Sequence, residues 1–75
     1  MARIVLHLTL RKHAEEKEIE LSLQEPMPLL GFLASRQIPA DQVGLVVRNG
    51  RWEDKNTCLI HNDDRIELFP FLQGG

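Results

Sequence analysis

Two stretches of alternating side chains, one near each end of the chain, constrain the fold more than anything between them. In "RIVLHLTLR", residues 3–11, Ile4, Leu6, Leu8 and Leu10 share one face, and Arg3, Val5, His7, Thr9 and Arg11 share the other. That is the period of two of a half-buried strand. In "DRIELF", residues 64–69, Ile66 and Leu68 alternate against Arg65, Glu67 and Phe69. These are the two most apolar strands the sequence predicts, so both belong in the interior of a sheet although nearly the whole chain separates them. A sheet closed by the chain's two ends must hold everything else against it.

The middle of the chain supplies the rest. After a charged turn, "HAEEKEIELSL" regains apolar side chains at Ile19, Leu21 and Leu23, alternating with Glu18, Glu20 and Ser22, which predicts a hairpin with the first strand. In "EPMPLLGFLASRQIPADQ" the period changes: Pro28 suits a first helical position, and Leu29, Leu30, Leu33 and Ala34 follow at helical spacing. The expectation is a helix of about three turns ended by Pro39. Gly31 inside it costs about 1 kcal/mol relative to Ala. In "VGLVVRNGRWE", Asn49-Gly50 predicts a tight two-residue turn between strands. Alternation there would turn Leu45 and Val47 into the core, leaving Val46 and Arg48 outward.

Element order is thus strand, strand, helix, strand, short strand, strand. It predicts an α+β domain of the β-grasp (ubiquitin-like) kind, a mixed four- to five-stranded sheet with one helix packed across one face, its first and last strands parallel. Residues 1–69 form that domain, and residues 70–75 are expected to be a flexible tail. Seventy-five residues bury only about 60% of their unfolded surface, so little machinery is available for function.

Composition removes several classes of function. The net charge is −2 and the pI about 5.8, with basic residues scattered along the chain, so nucleic acid is not an expected partner. No apolar run approaches the roughly 18 residues of a membrane span, so neither is a membrane. One cysteine excludes an internal disulfide and an iron–sulfur cluster of the four-cysteine kind. Without a signal-peptide pattern at the N-terminus, a cytoplasmic location is expected.

The last nine residues, "ELFPFLQGG", carry the functional question, because an apolar strand runs into two bare glycines with no charge after Glu67. The order of elements, the "VVRNG" hairpin, the "NDDRIELFP" approach to the last strand and the terminal "LQGG" together resemble the sulfur carriers of thiamine and molybdopterin biosynthesis (ThiS and MoaD types), relatives of ubiquitin. The resemblance covers nearly the whole chain. "FP" before the end is similar to the molybdopterin branch, "QGG" and "RNG" to the thiamine branch.

The resemblance implies that the chain is a protein co-substrate rather than an enzyme, with the Gly75 carboxylate as its reactive group. A ThiF/MoeB-like adenylating enzyme would use ATP to form an acyl adenylate there. A sulfur donor would convert this to a thiocarboxylate, and a thiazole synthase or the large subunit of molybdopterin synthase would accept the sulfur. The carrier itself would hold no cofactor and no metal.

The residue types suit that chemistry. An α-carboxyl with a pKa of roughly 3.3–3.7 is ionised at neutral pH but accepts no sulfur until a leaving group is attached. Gly74 and Gly75, lacking Cβ atoms, can thread a narrow channel. Upstream, Phe69, Pro70, Phe71, Leu72 and Gln73 would dock on a partner, with aromatic anchors beside an outward Val46. A bland alternative has Phe69 and Phe71 closing the core and the glycines as a frayed end. Two other functions stay open: a ubiquitin-like modifier conjugated through Gly75, which uses the same features, and a β-grasp binding module that leaves the glycines without a task.

Other reactive residues have simpler readings. Cys58 lacks a Cys/His pairing signature and is expected to be a small buried hydrophobe. His7, His13 and His61 fall at no zinc-ligand spacing. The carboxylates of "AEEKEIE" are expected on a solvated face, and Trp52 is expected to pack on an edge strand.

Overall fold

The computed structural model describes residues 1–71. Its strands are β1 (Ala2–Leu6), β2 (Glu18–Leu21), β3 (Met27–Pro28), β4 (Val43–Arg48), β5 (Arg51–Glu53), β6 (Leu59–Ile60) and β7 (Arg65–Pro70), and its helix is α1 (Leu29–Ser35). Five strands form one mixed sheet in the order β2-β1-β7-β4-β5. β1 and β7 pair in parallel, with Ile4 opposite Ile66 and Leu6 opposite Leu68. The other neighbours in this sheet are antiparallel, and β3 and β6 make a separate two-stranded ladder. The two alternating stretches therefore do meet inside the sheet, with β7 at its centre.

Helix and sheet share one core. Leu29, Phe32 and Leu33 of α1 cluster with Ile4, Leu6, Val43, Val46, Ile66 and Leu68 from one face of the sheet. Each of these side chains is essentially excluded from water, and fully burying one apolar side chain is worth about 1.5–3 kcal/mol. The fold is an α+β arrangement of one helix and one mixed five-stranded sheet. Among the described residues, no helix is long and apolar enough to cross a membrane.

Four expectations need correction. The first strand stops at Leu6 instead of running through Arg11. Leu8 takes a positive φ of 53°, and residues Leu8–His13 wind into a 3-10 turn that returns Leu10 to the core and leaves Leu8 61% exposed. Pairing with β7 ends at Leu6–Leu68, so nothing beyond it keeps the chain extended.

The helix is two turns long. Pro28 caps it in an extended conformation and pairs with Leu59. It ends at Ser35, and the chain reverses through Gln37 at a φ of 59°, so Pro39 is not the terminator. The buried stripe is Leu29, Phe32 and Leu33, while Leu30 and Ala34 face outward.

In β4 the expected parity is inverted. Val46 is 1% exposed and points into the core, while Leu45 and Val47 lie on the outer face. A bulge between Val43 and Leu45 is the cause, since one extra residue moves every later side chain to the opposite face. Finally, β7 continues to Pro70, which pairs with Val43, so the boundary expected after Phe69 falls inside a strand.

Candidate functional site

β7 leaves the sheet beside the bulge of β4, and the candidate site is built at this exit. Gly44 makes the exit possible: a Cβ there would lie 2.8 Å from both the Cα and the backbone nitrogen of Phe71. Glycine inside an apolar strand often marks such a close backbone approach. One residue on, Leu45 stands opposite Phe69. Gly44, Leu45, Phe69, Pro70 and Phe71 together line an open apolar hollow of about 250 Å³.

Phe69 is held from the other side by His7. The two rings stack with centroids 4.2 Å apart and planes 4° from parallel, and His7 Nε2 is hydrogen-bonded to Glu67 Oε1 at 3.1 Å. The strand order places these residues together, because His7 follows β1 and its backbone N–H donates to the Leu68 carbonyl at 3.0 Å. Phe69 is half-buried on the outer face of the sheet, away from α1, and Phe71 is 57% exposed. Beyond Pro70 and Phe71 a second, broader groove is lined by Leu8, Thr9, Lys12, Asp41 and Gln42.

Of the residues the sequence singles out, Phe69, Pro70 and Phe71 come together at this exit. Val46 does not join them, because the bulge buries it in the core; Leu45 takes the place expected for it. Leu72, Gln73, Gly74 and Gly75 lie outside the described residues. The sequence also misses Gly44 and Lys55. Gly44 carried a readable signal as a lone glycine in a strand. Lys55 carried none: its ammonium reaches the Phe71 ring from a loop distant in sequence.

The opposite end of the sheet has a different chemistry. Asp64, 7% exposed, accepts hydrogen bonds from the His61 backbone N–H at 2.8 Å, Asn49 Nδ2 at 2.8 Å and Arg48 Nη1 at 3.1 Å. Burial acts to raise its pKa, but these donors outweigh it and hold the carboxyl below its ordinary value. Asn49 also ties its turn to β7 by accepting from the Arg65 N–H at 2.8 Å.

Other residues take structural positions. Cys58 is buried, and burial pushes its thiol up, which disfavours the thiolate that nucleophilic chemistry needs. Trp52 sits on edge strand β5 but is 77% exposed, so the expected packing role is corrected. His13 Nε2 bonds Gln42 Oε1 at 2.7 Å. Among the described residues, no group of three or more His, Cys, Asp or Glu could hold a metal ion. In comparisons with known proteins, no family model matches the chain and no curated protein is significantly similar to it.

Proposed function

We propose that this chain is a β-grasp sulfur carrier whose Gly75 carboxylate is adenylated and converted to a thiocarboxylate for cofactor biosynthesis. The observation that carries the reading is the position of β7. The strand that leads to Gly-Gly lies between β1 and β4 at the centre of the sheet, and leaves it beside the apolar residues Leu45, Phe69 and Phe71. A central strand anchors a reactive terminus firmly, and the half-buried Phe69 and exposed Phe71 at its root suit a partner that must grip the carrier while acting on the last residue.

In the proposed reaction a Gly75 carboxylate oxygen attacks the α-phosphorus of ATP on the adenylating enzyme, and pyrophosphate leaves. Sulfur supplied by the donor at the oxidation level of sulfide, as HS⁻, then attacks the acyl carbon and AMP leaves with the former carboxylate oxygen, so the terminal carboxylate becomes a thiocarboxylate with no change in oxidation state. A thiazole synthase or a molybdopterin synthase large subunit takes the sulfur. The chain contributes docking and the acyl group, and no described side chain acts as nucleophile or base.

Two measurements test this. Mass spectrometry of protein isolated from its native cell should show a chain ending at Gly75, part of it carrying sulfur in place of one oxygen. ATP–pyrophosphate exchange with the cognate adenylating enzyme should require that free end and be abolished by a cap on it or by loss of Gly75. Normal exchange with a capped terminus would overturn the reading. Recovery of Gly75 joined to lysines of other proteins, with no thiocarboxylate, would replace it with the protein-modifier reading. Cys58→Ser should carry sulfur as well as the parent.

A further inference from the structure

Three parts of the chain converge on Phe71, the last described residue. Lys55, in the loop between β5 and β6, donates from Nζ to the carbonyl oxygens of Ala40 at 2.7 Å and Val43 at 3.0 Å. These carbonyls belong to the turn before β4 and to its first residue, so the ammonium is fixed at the start of that strand. The same Nζ stands 5.3 Å from the centroid of the Phe71 ring, within the range of a cation–π interaction. Gly44, next in β4, lets the Phe71 backbone approach to a distance that any Cβ would obstruct.

We propose that Lys55 and Gly44 form a latch that holds Phe71 against β4 and fixes the point from which the C-terminal segment starts. The need for such a device follows from exposure. Phe71 is 57% exposed, so burial alone restrains it weakly; the ammonium above the ring and the close backbone contact at Gly44 supply the restraint. Its purpose rests on the reading of Gly75 as an acyl terminus. A tail whose root is already ordered loses less entropy when it enters a partner's channel. Lys55 is accordingly a positioning residue, acting through Phe71 on where the reactive end begins.

The latch is tested first by NMR on the full chain. Ring current from Phe71 should shift the Lys55 ε-methylene protons upfield, and Phe71→Leu should return them to ordinary positions. The Phe71 amide should relax like the amides of β7 in the parent, and become mobile in Lys55→Met and in Gly44→Ala. Lys55→Arg, which keeps the cation, should restore order. Should Gly44→Ala fail to fold, Lys55→Met and Phe71→Leu still decide. Unshifted Lys55 protons, or a Phe71 amide as mobile in the parent as in Lys55→Met, would overturn the latch.

The positioning role is read in ATP–pyrophosphate exchange with an adenylating enzyme that accepts the parent. Lys55→Met should raise KM for the carrier about fivefold with kcat unchanged, because the change acts on binding rather than on the reacting carboxylate, and Lys55→Arg should reverse most of it. An unchanged KM, or a loss confined to kcat, would overturn that role. A parent chain that no adenylating enzyme accepts would overturn the proposed function instead, while the NMR result still decides the latch.

Discussion

The two ends of the central strand β7 are held in opposite ways. At its start, Arg65 enters the sheet beside a closed polar cluster, in which Asp64 is satisfied by His61, Asn49 and Arg48, and Arg48 also donates to Glu53 at 2.9 Å. At its finish, Phe69, Pro70 and Phe71 leave the sheet along an open apolar hollow, with one stacked histidine and one lysine above them. The first end turns its buried polar groups onto internal partners, and no buried side-chain nitrogen or oxygen among the described residues lacks one. The second leaves aromatic surface in water. A chain this small has few apolar side chains beyond those its core needs, so the ones left exposed beside the exit of a central strand are the best candidates for contact with another molecule.

Val46 and Phe69 lie on neighbouring strands but on opposite faces, one in the core and one outward. Val46→Asp should therefore unfold or nearly unfold the domain, because an unpaired carboxylate would replace a fully buried methyl pair. The expected cost is about 3 kcal/mol or more, a large fraction of the roughly 5–15 kcal/mol typical of whole domains. Urea unfolding measures it, and a midpoint close to the parent's would show that Val46 is not a core residue.

A smaller loss is expected at the polar end. Asp64→Ala strips acceptors from three donors and should cost about 2–3 kcal/mol, read by the same unfolding experiment. The effect should depend on pH with a definite sign. The folded pKa of Asp64 lies below its ordinary value of 3.8, so its contribution is fully present above that value and is lost as pH falls through the lower folded value. The stability gap between the parent and Asp64→Asn should accordingly be constant near neutrality and shrink below about pH 4. A gap that persists unchanged in strong acid would mean that shape, not charge, matters at this site.

At the open end the consequence should move from stability to binding. Phe69→Asp should lower stability by about 1 kcal/mol, mainly through loss of the stack on His7. Binding to the proposed adenylating enzyme should weaken at least about tenfold, which is about 1.4 kcal/mol. Calorimetric binding and thermal unfolding on the same variant separate the two. A large fall in melting temperature without a specific binding loss would make both ends structural.

The smallest effect serves as a control away from both ends. Gly31 lies in α1, where an added Cβ would meet nothing within 4 Å, so Gly31→Ala should raise stability by about 0.5–1 kcal/mol and leave binding unchanged. A loss of stability would show that the outer side of α1 is covered by something in the folded protein.

Much of the fold was legible because its signals are local and periodic. Ile4 and Leu6, Ile66 and Leu68, and the Asn49-Gly50 turn, with φ of 53° and 83°, are where the pattern places them. The site was legible only in part. Phe69, Pro70 and Phe71 stand out as an apolar run in an unusual place, but their neighbours Leu45, Gly44 and Lys55 depend on a bulge and on a loop crossing, which no short window of sequence contains.

By itself the sequence determined the two alternating strands that must meet, the turn between β4 and β5, the presence of one helix and the apolar run Phe69, Pro70 and Phe71. Periodicity and turn chemistry act over a few residues, so they survive without a structure. Tertiary structure alone decided the face that Val46 occupies, the end of β1 at Leu6 and the ring of contacts around Phe71. Each of these turns on pairing partners far away in the chain. One bulged residue in β4, one leucine at positive φ, which by itself costs about 1–2 kcal/mol, and one ammonium reaching from a loop to the start of β4 are adopted because of the burial and pairing they permit elsewhere.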